Sequence, residues 1–424
     1  MFKSVRGTKD ILPKDSFRWQ RIEEASRKIF SIYGYKEIRT PLIEEASLFV
    51  RSLGDNTEIV SKQMFKVVRN LGEESKREIV LRPEGTASVV RAYLESGLYK
   101  REGIARFYYL GPMFRAERPQ KGRLRQFHHI GAEAIGSYSP YLDVEIISLA
   151  DRLLKELGIK EYRVNLNTLG CNRDKVKFKE LLKEKLKPNL SYFCSNCKIR
   201  FQYNPLRILD CKNKNCREVV SGLSLKDEYL CSECKQHFQD VKEGLKNIGI
   251  DYEILPWLVR GLDYYTRTVF EITCKNLGSQ DALGAGGRYD NLVKQLGGPE
   301  KGAVGFALGV ERIILVEEKE PVSQQDYIYL ISLGKEATIK TLKLLETLRK
   351  EGIHAVSDYL DRSLKVSLRR ANQSGAKFVI IIGEDEIKKG VMILKDMSSG
   401  RQKELKEEDL IEELKNIKIN NLRC

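Results

Sequence analysis

Between Tyr35 and Ala307 strand candidates follow one another so closely that few crossover helices fit between them. Parallel neighbours need a crossover of about a dozen residues or more, so this spacing favours an antiparallel sheet over a doubly wound parallel one. The segment Tyr35-Lys-Glu-Ile-Arg-Thr-Pro-Leu-Ile43 alternates at period two, and Pro41 puts an edge or a break in it. Phe65–Val68, Arg106–Arg115, Arg125–Gly136, Tyr162–Asn167, Thr268–Thr273 and Ala303–Ala307 are the further strand candidates. A helix precedes them: apolar residues recur at helical spacing from Asp15 to Tyr33, and Gly34 stops it.

Two regions break this rhythm. Between Thr168-Leu-Gly170 and Tyr252 the chain turns into basic helical stretches with clustered cysteines, which reads as an insertion. After Pro321 the order becomes strand 327–333, helix 336–351, strand 354–356, helix 363–374, strand 377–382, a hairpin through 391–395 and a closing helix from Glu407. That βαβαββα order is a compact α/β domain with a mixed sheet. Polar, unpatterned residues 316–325 read as the linker before it. The expected organisation is therefore α+β: residues 1–169 and 251–320 as two parts of one domain, 170–250 inserted, and 326–424 a separate domain.

No segment approaches the ~20 apolar residues that span a bilayer, and residues 1–10 lack the apolar run of a secretory signal. The expected location is the cytoplasm, with no membrane partner. A net charge of +15 fits attraction to a polyanion, although solvated lysine faces give the same number. The charge is uneven: residues 171–240 hold 15 Lys and Arg against 9 Asp and Glu, while 325–424 hold 19 against 16.

Six cysteines fall between Cys194 and Cys234 as Cys194-x2-Cys197, Cys211-x4-Cys216 and Cys231-x2-Cys234. In a reducing compartment such thiols are free or bind metal, and paired thiols at this spacing suit tetrahedral zinc. One ion needs four ligands. The expected set is Cys194, Cys197, Cys231 and Cys234, with Cys211 and Cys216 the alternative second pair and His237 a further candidate; the competing reading is that all six are free thiols.

Four motifs carry the chemistry. Leu81-Arg-Pro-Glu-Gly-Thr86 opens a helix whose first amides face outward. Tyr108 to Phe127 is a strand, an arginine-rich loop and the start of a second strand reaching Glu133. Leu258-Val-Arg-Gly-Leu-Asp-Tyr-Tyr-Thr-Arg-Thr-Val-Phe-Glu-Ile272 sets an arginine, an acid and two tyrosines just before an alternating strand, and Leu283-Gly-Ala-Gly-Gly-Arg-Tyr-Asp-Asn291 is rich in glycine. Gly302-Ala-Val-Gly-Phe-Ala-Leu-Gly-Val-Glu-Arg312 is a strand running into a helix, with glycines that let a nucleotide approach the backbone.

In order and separation these motifs resemble those of the histidyl-tRNA synthetases, from Arg6 to the last helix near Lys418. The resemblance implies a class II synthetase antiparallel sheet with flanking helices, an inserted small domain facing tRNA, a C-terminal anticodon-binding domain and a homodimer joined near Pro41. It implies L-histidine, ATP with Mg²⁺ and histidine tRNA as substrates. Glu84, Gly85 and Thr86 then hold the amino acid, the first and last through its ammonium, with Glu133, Tyr264 and Tyr265 around the imidazole. An imidazole offers a donor and an acceptor on opposite edges, so such a site rejects apolar isosteres. Arg115 and Arg260 are the implied catalytic cations at the α-phosphate, Arg312 meets the γ-phosphate, and Gln120 and Arg125 meet the tRNA acceptor end. Planar guanidinium forks suit phosphate. One position departs from the family pattern: Phe127-His128-His129 stands where Phe-His-Gln is usual, so a stiffer, titratable imidazole replaces an amide that contacts substrate. Near pH 6.5 it is expected to charge and repel the substrate ammonium. The other reading is a non-catalytic, histidine-sensing regulatory relative, a class that usually lacks the arginines and the C-terminal domain, both of which are present here.

Overall fold

A computed structural model describes residues 2–54, 57–68, 78–101, 103–223, 225, 227–278, 281–317, 327–360 and 362–416 of the chain. Most of the anticipated linker, 318–325, and the family-like tail at Lys418 lie outside them. The chain divides into two compact units, Met1–Lys319 and Glu320–Cys424.

The first unit is built on an eight-stranded sheet. In spatial order its strands are Lys36–Glu37, Ala105–Phe114, Gln126–Ile135, Ala303–Gly309, Ala282–Arg288, Thr266–Thr273, Arg163–Thr168 and Glu253–Ile254. The six inner strands pair antiparallel, as the strand spacing predicts, and only the two-residue edge strands pair parallel. The break anticipated around Pro41 is present: Lys36–Glu37 joins this sheet, whereas Ile43–Glu45 joins a three-stranded sheet with Ile79–Leu81 and Phe65–Lys66.

Period-two alternation gives the large sheet two unlike faces. Tyr108, Ile130, Ala132, Ala134, Val304, Phe306, Leu308, Phe270 and Ile272 form one apolar face, covered by helices Pro13–Ile32 and Pro140–Glu156. Helix Pro13–Ile32 carries proline in its first turn, buries Ile22, Ser26, Ile29 and Phe30 along one stripe, and ends before Gly34 at φ +76°. Its Phe30 stacks on Tyr108 at 4.5 Å between ring centres. The opposite face carries the candidate site.

The insertion is helical: Asn172–Leu186, Ser195–Tyr203, Lys214–Ser221 and Ser232–Asn247, joined by short 3₁₀ turns. Its buried Phe178, Leu182, Leu186, Phe193, Leu206 and Ile208 share one apolar cluster with Tyr264 and Tyr265 and with Val269 of the sheet. A basic segment of this size has little core of its own, and it gains one by packing on the larger domain.

The second unit is a five-stranded mixed sheet ordered Ala355–Val356, Ile328–Ser332, Phe378–Ile382, Met392–Asp396, Gln402–Leu405. Leu330 and Ile380 face helix Lys335–Lys350, while Tyr329, Ile331, Val379 and Ile381 face helix Leu364–Gln373. In this unit the short helix Glu384–Lys389 between two strands escaped the sequence reading.

Candidate active site

Two rows of residues run side by side across the other face of the large sheet. Phe107, Glu133, Gly305, Gly287 and Val269 make one; Tyr109, Gly131, Ala307, Ala285 and Glu271 make the next. The middle positions are glycine or alanine, so the two rows form a shallow trough with a small-residue floor. Its polar groups stand around it.

Glu133 is the centre of one end. It is buried, and its carboxylate accepts from Thr86 Oγ1 at 2.7 Å, Tyr109 OH at 3.3 Å and Tyr289 OH at 2.5 Å. Burial pushes the Glu133 carboxyl up to about 8, opposed by the hydroxyls of Tyr289 and Thr86 and reinforced by the nearby Glu84. Gly305 makes this placement possible: a Cβ there would lie 1.8 Å from Glu133 Oε2. Likewise a Cβ on Gly131 would lie 2.2 Å from Tyr109 Cζ, and one on Gly85 would lie 2.5 Å from the same ring. These glycines clear room for side chains.

Glu84 accepts from the backbone N–H of Thr86 at 2.7 Å and of Ala87 at 2.8 Å, so its carboxylate caps helix Thr86–Glu95 at the trough edge. Burial raises its pKa and those two amides pull it back. Tyr264 packs edge-on against Tyr289, with ring centres 5.6 Å apart, and tilts against Tyr265 at 4.7 Å. The expected histidine-site residues Glu84, Gly85, Thr86, Glu133, Tyr264 and Tyr265 are therefore brought together. Sequence reasoning missed Tyr109 and Tyr289, although both lie inside quoted motifs; their roles follow from cross-strand register, which no local pattern reports.

The arginines line the rest of the trough. Arg115 donates to Pro83 O at 2.9 Å and lies over the Phe127 ring at 5.2 Å. Arg260 donates to Glu271 Oε1 at 2.6 Å, a partner that the sequence reading did not assign. Arg312 holds Gly122 O at 3.1 Å and also bonds Ala282 O, tying the arginine-rich loop to a sheet strand. In that loop Gln120 pairs through its backbone with Arg123, while Arg125 is clipped to the N-terminal segment: its N–H donates to Gly7 O at 2.7 Å and its Nη1 to Arg6 O at 3.3 Å.

His129 lies beside Phe127 on the same face, and its Nδ1 is buried with no hydrogen-bond partner among the described residues. Burial together with Arg115, Arg82 and Arg312 pulls its pKa down to about 3. The expected charging near pH 6.5 is thereby corrected: surrounded by guanidinium groups, the ring stays neutral.

The cysteines need a second correction. Cys194, Cys197, Cys231 and Cys234 do not converge. Cys194 and Cys197 gather with Cys211 and Cys216, whereas Cys231 and Cys234 gather with Cys171 and Asp174; within each group the ligand atoms lie within 4.8 Å of one another. The two Cys-x2-Cys pairs cap different helices, Ser195–Tyr203 and Ser232–Asn247, which separates them. His237 joins neither group and faces Asp143, with Nε2 3.6 Å from Oδ2.

An antiparallel sheet carrying a small-residue trough, with a buried carboxylate at one end and arginines around the rest, defines a class II aminoacyl-tRNA synthetase platform. The model of the family described as histidyl-tRNA synthetase matches residues 7–313, and that of the anticodon binding domain matches residues 327–417. The chain is 45% identical over 419 residues to the histidine–tRNA ligase of Halothermothrix orenii, covering 98% of this chain and 99% of that one. It is 43% identical over 410 residues to the histidine–tRNA ligase of Desulforamulus reducens, covering 96% and 97%. The solved structure of apo S. aureus histidyl-tRNA synthetase superposes with a TM-score of 0.80 at 34% identity, covering 98% of this chain and all of that one. The chain belongs to the histidyl-tRNA synthetase family.

Proposed function

We propose that this protein is a histidine–tRNA ligase. A carboxylate oxygen of histidine attacks the α-phosphorus of ATP, the bond to the β-phosphate breaks, and histidyl-adenylate and pyrophosphate result. A terminal ribose hydroxyl of the tRNA then attacks the activated carbonyl, loses its proton and releases AMP. The protein positions the reactants and stabilises charge, and no covalent enzyme intermediate is required.

The strongest support for this reading is Glu133, a buried carboxyl held by three hydroxyls at the end of the small-residue rows. It accepts from one imidazole nitrogen while a tyrosine hydroxyl meets the other. Glu84, Gly85 and Thr86 receive the α-amino end, and the neutral His129 supplies a further hydrogen bond. Arg115 and Arg260 flank the α-phosphate, Arg312 meets the γ-phosphate, and Mg²⁺ enters with the nucleotide to neutralise the β- and γ-phosphates. Gln120 and Arg125 meet the acceptor end once Arg125 leaves its contacts with Arg6 and Gly7. A regulatory histidine sensor has no use for three arginines on the trough or for an anticodon-binding unit.

Around this site, residues 1–169 and 251–320 form the catalytic domain, 170–250 a tRNA-facing insertion and 326–424 the anticodon-binding domain. The enzyme works in the cytoplasm as a homodimer joined near Pro41, where Leu42 and Ile43 are exposed. Cys194, Cys197, Cys211 and Cys216 hold one structural zinc. Four thiolates about 2.3 Å from zinc in a tetrahedron lie ~3.8 Å apart, and Cys194 Sγ and Cys211 Sγ are 3.9 Å apart.

Glu133→Gln tests the site. It presents an amide that matches the imidazole on one atom only, so kcat/KM for histidine in pyrophosphate exchange should fall about 100-fold, or ~3 kcal/mol, with the KM for ATP little changed. An unchanged kcat/KM for histidine would remove Glu133 from the pocket.

A further inference from the structure

The base of the insertion carries a second ligand set. Cys171 caps helix Asn172–Leu186 and Asp174 sits in its first turn; Cys231 caps helix Ser232–Asn247 and Cys234 sits in its first turn. Two helix N-termini thus each present a cap residue and the residue three further on, and the four ligand atoms lie within 4.8 Å of one another. Helix N-termini favour anionic ligands such as thiolates.

The surroundings favour a cation between these groups. Asp174 is fully buried, yet among the described residues no Lys, Arg or His forms an ion pair with it. Its oxygens accept the backbone N–H of Cys171 at 3.3 Å and of Cys231 at 3.1 Å and also meet the Cys231 and Cys234 thiols, while the Cys171 N–H also reaches Cys234 Sγ at 3.2 Å. A buried carboxylate costs stability unless it is paired or binds a metal. The backbone is shaped around it as well: Gly170 has φ +69°, and a Cβ there would lie 2.4 Å from Asp174 Cβ.

We propose that Cys171, Asp174, Cys231 and Cys234 form a second zinc site, which pins the two ends of the insertion together at the edge of the active-site trough. Three thiolates and a carboxylate suit tetrahedral zinc, and the basic insertion offsets the net negative charge of the complex. The next residue along the helix, Lys175, donates to the backbone carbonyls of Asp263 at 3.0 Å and Tyr265 at 2.9 Å, so the site buttresses the Arg260–Tyr265 loop. The proposal does not depend on the Cys194 site being filled.

Metal analysis of full-length protein purified without chelator should give about two zinc ions per chain. Cys231→Ser and Cys194→Ser should each hold one, and the double variant none. Wild type replaced with ¹¹³Cd gives a reading that needs no variant: two resonances, the one from the site with an oxygen ligand upfield of the all-sulfur one. A single zinc that disappears in Cys194→Ser and persists in Cys231→Ser would overturn the second site alone. A single zinc with the reverse dependence would keep the second site and remove the first. Wild type without zinc would overturn both.

Discussion

His129 shows how far a residue's surroundings override its identity. As a sequence symbol it is a titratable group near neutrality; between Arg115, Arg82 and Arg312 it is held at about 3. Below about pH 6.5 the unfolded chain takes up a proton that the folded one refuses, so this residue makes the fold less stable as the pH falls. Over the catalytic range it stays neutral. His129→Gln should therefore shift the histidine KM by the same small factor at pH 6 and at pH 8. A wild-type KM that rises relative to the variant as the pH drops through 6.5 would show that the imidazole charges after all. The same contrast explains which site residues were legible. Glu84, Glu133, Arg260, Tyr264 and Tyr265 announce themselves by type and motif, whereas Tyr109, Tyr289 and Glu271 become partners only when strands align Tyr109 with Gly131 and Glu271 with Ala285.

At the scale of elements, close strand spacing predicts the antiparallel core, and period-two alternation predicts its two faces. The strand Ala282–Arg288 is harder to see, because three of its seven residues are glycine, a poor strand former. Its place is secured by tertiary contacts. Arg288 is fully buried and bonds Asp143 with Nε at 3.1 and 3.0 Å and Nη2 at 2.5 Å, while Ser137 O and Ser139 O accept at 2.8 Å each. That clamp joins the glycine strand to helix Pro140–Glu156. Arg288→Ala leaves Asp143 buried without its cation and should cost ~3–5 kcal/mol of unfolding free energy in urea. A loss below ~1 kcal/mol would mean that glycine packing alone seats the strand. The favoured cysteine set fails at this same scale, and the alternative second pair, Cys211 and Cys216, is the one that meets Cys194 and Cys197: spacing along the chain marks pairs, but the pairing of pairs depends on which helices meet.

For the whole molecule, the division into two units follows from a change of rhythm after Pro321, and the second unit matches the anticodon-binding model over residues 327–417. A chain ending at Lys319 should keep histidine-dependent pyrophosphate exchange and lose most tRNA charging. Charging at the full-length kcat/KM would detach the second unit from tRNA recognition. The insertion's share was legible as charge and cysteine but not as packing, since its apolar residues complete the core of another segment. That Glu133 and the tyrosines around it select histidine for adenylation can be measured by ATP–pyrophosphate exchange with each standard amino acid in turn. Exchange with histidine should run at least about 10⁴-fold above any other, as buried polar matching allows. Exchange that is absent with histidine, or equal with another amino acid, would contradict it.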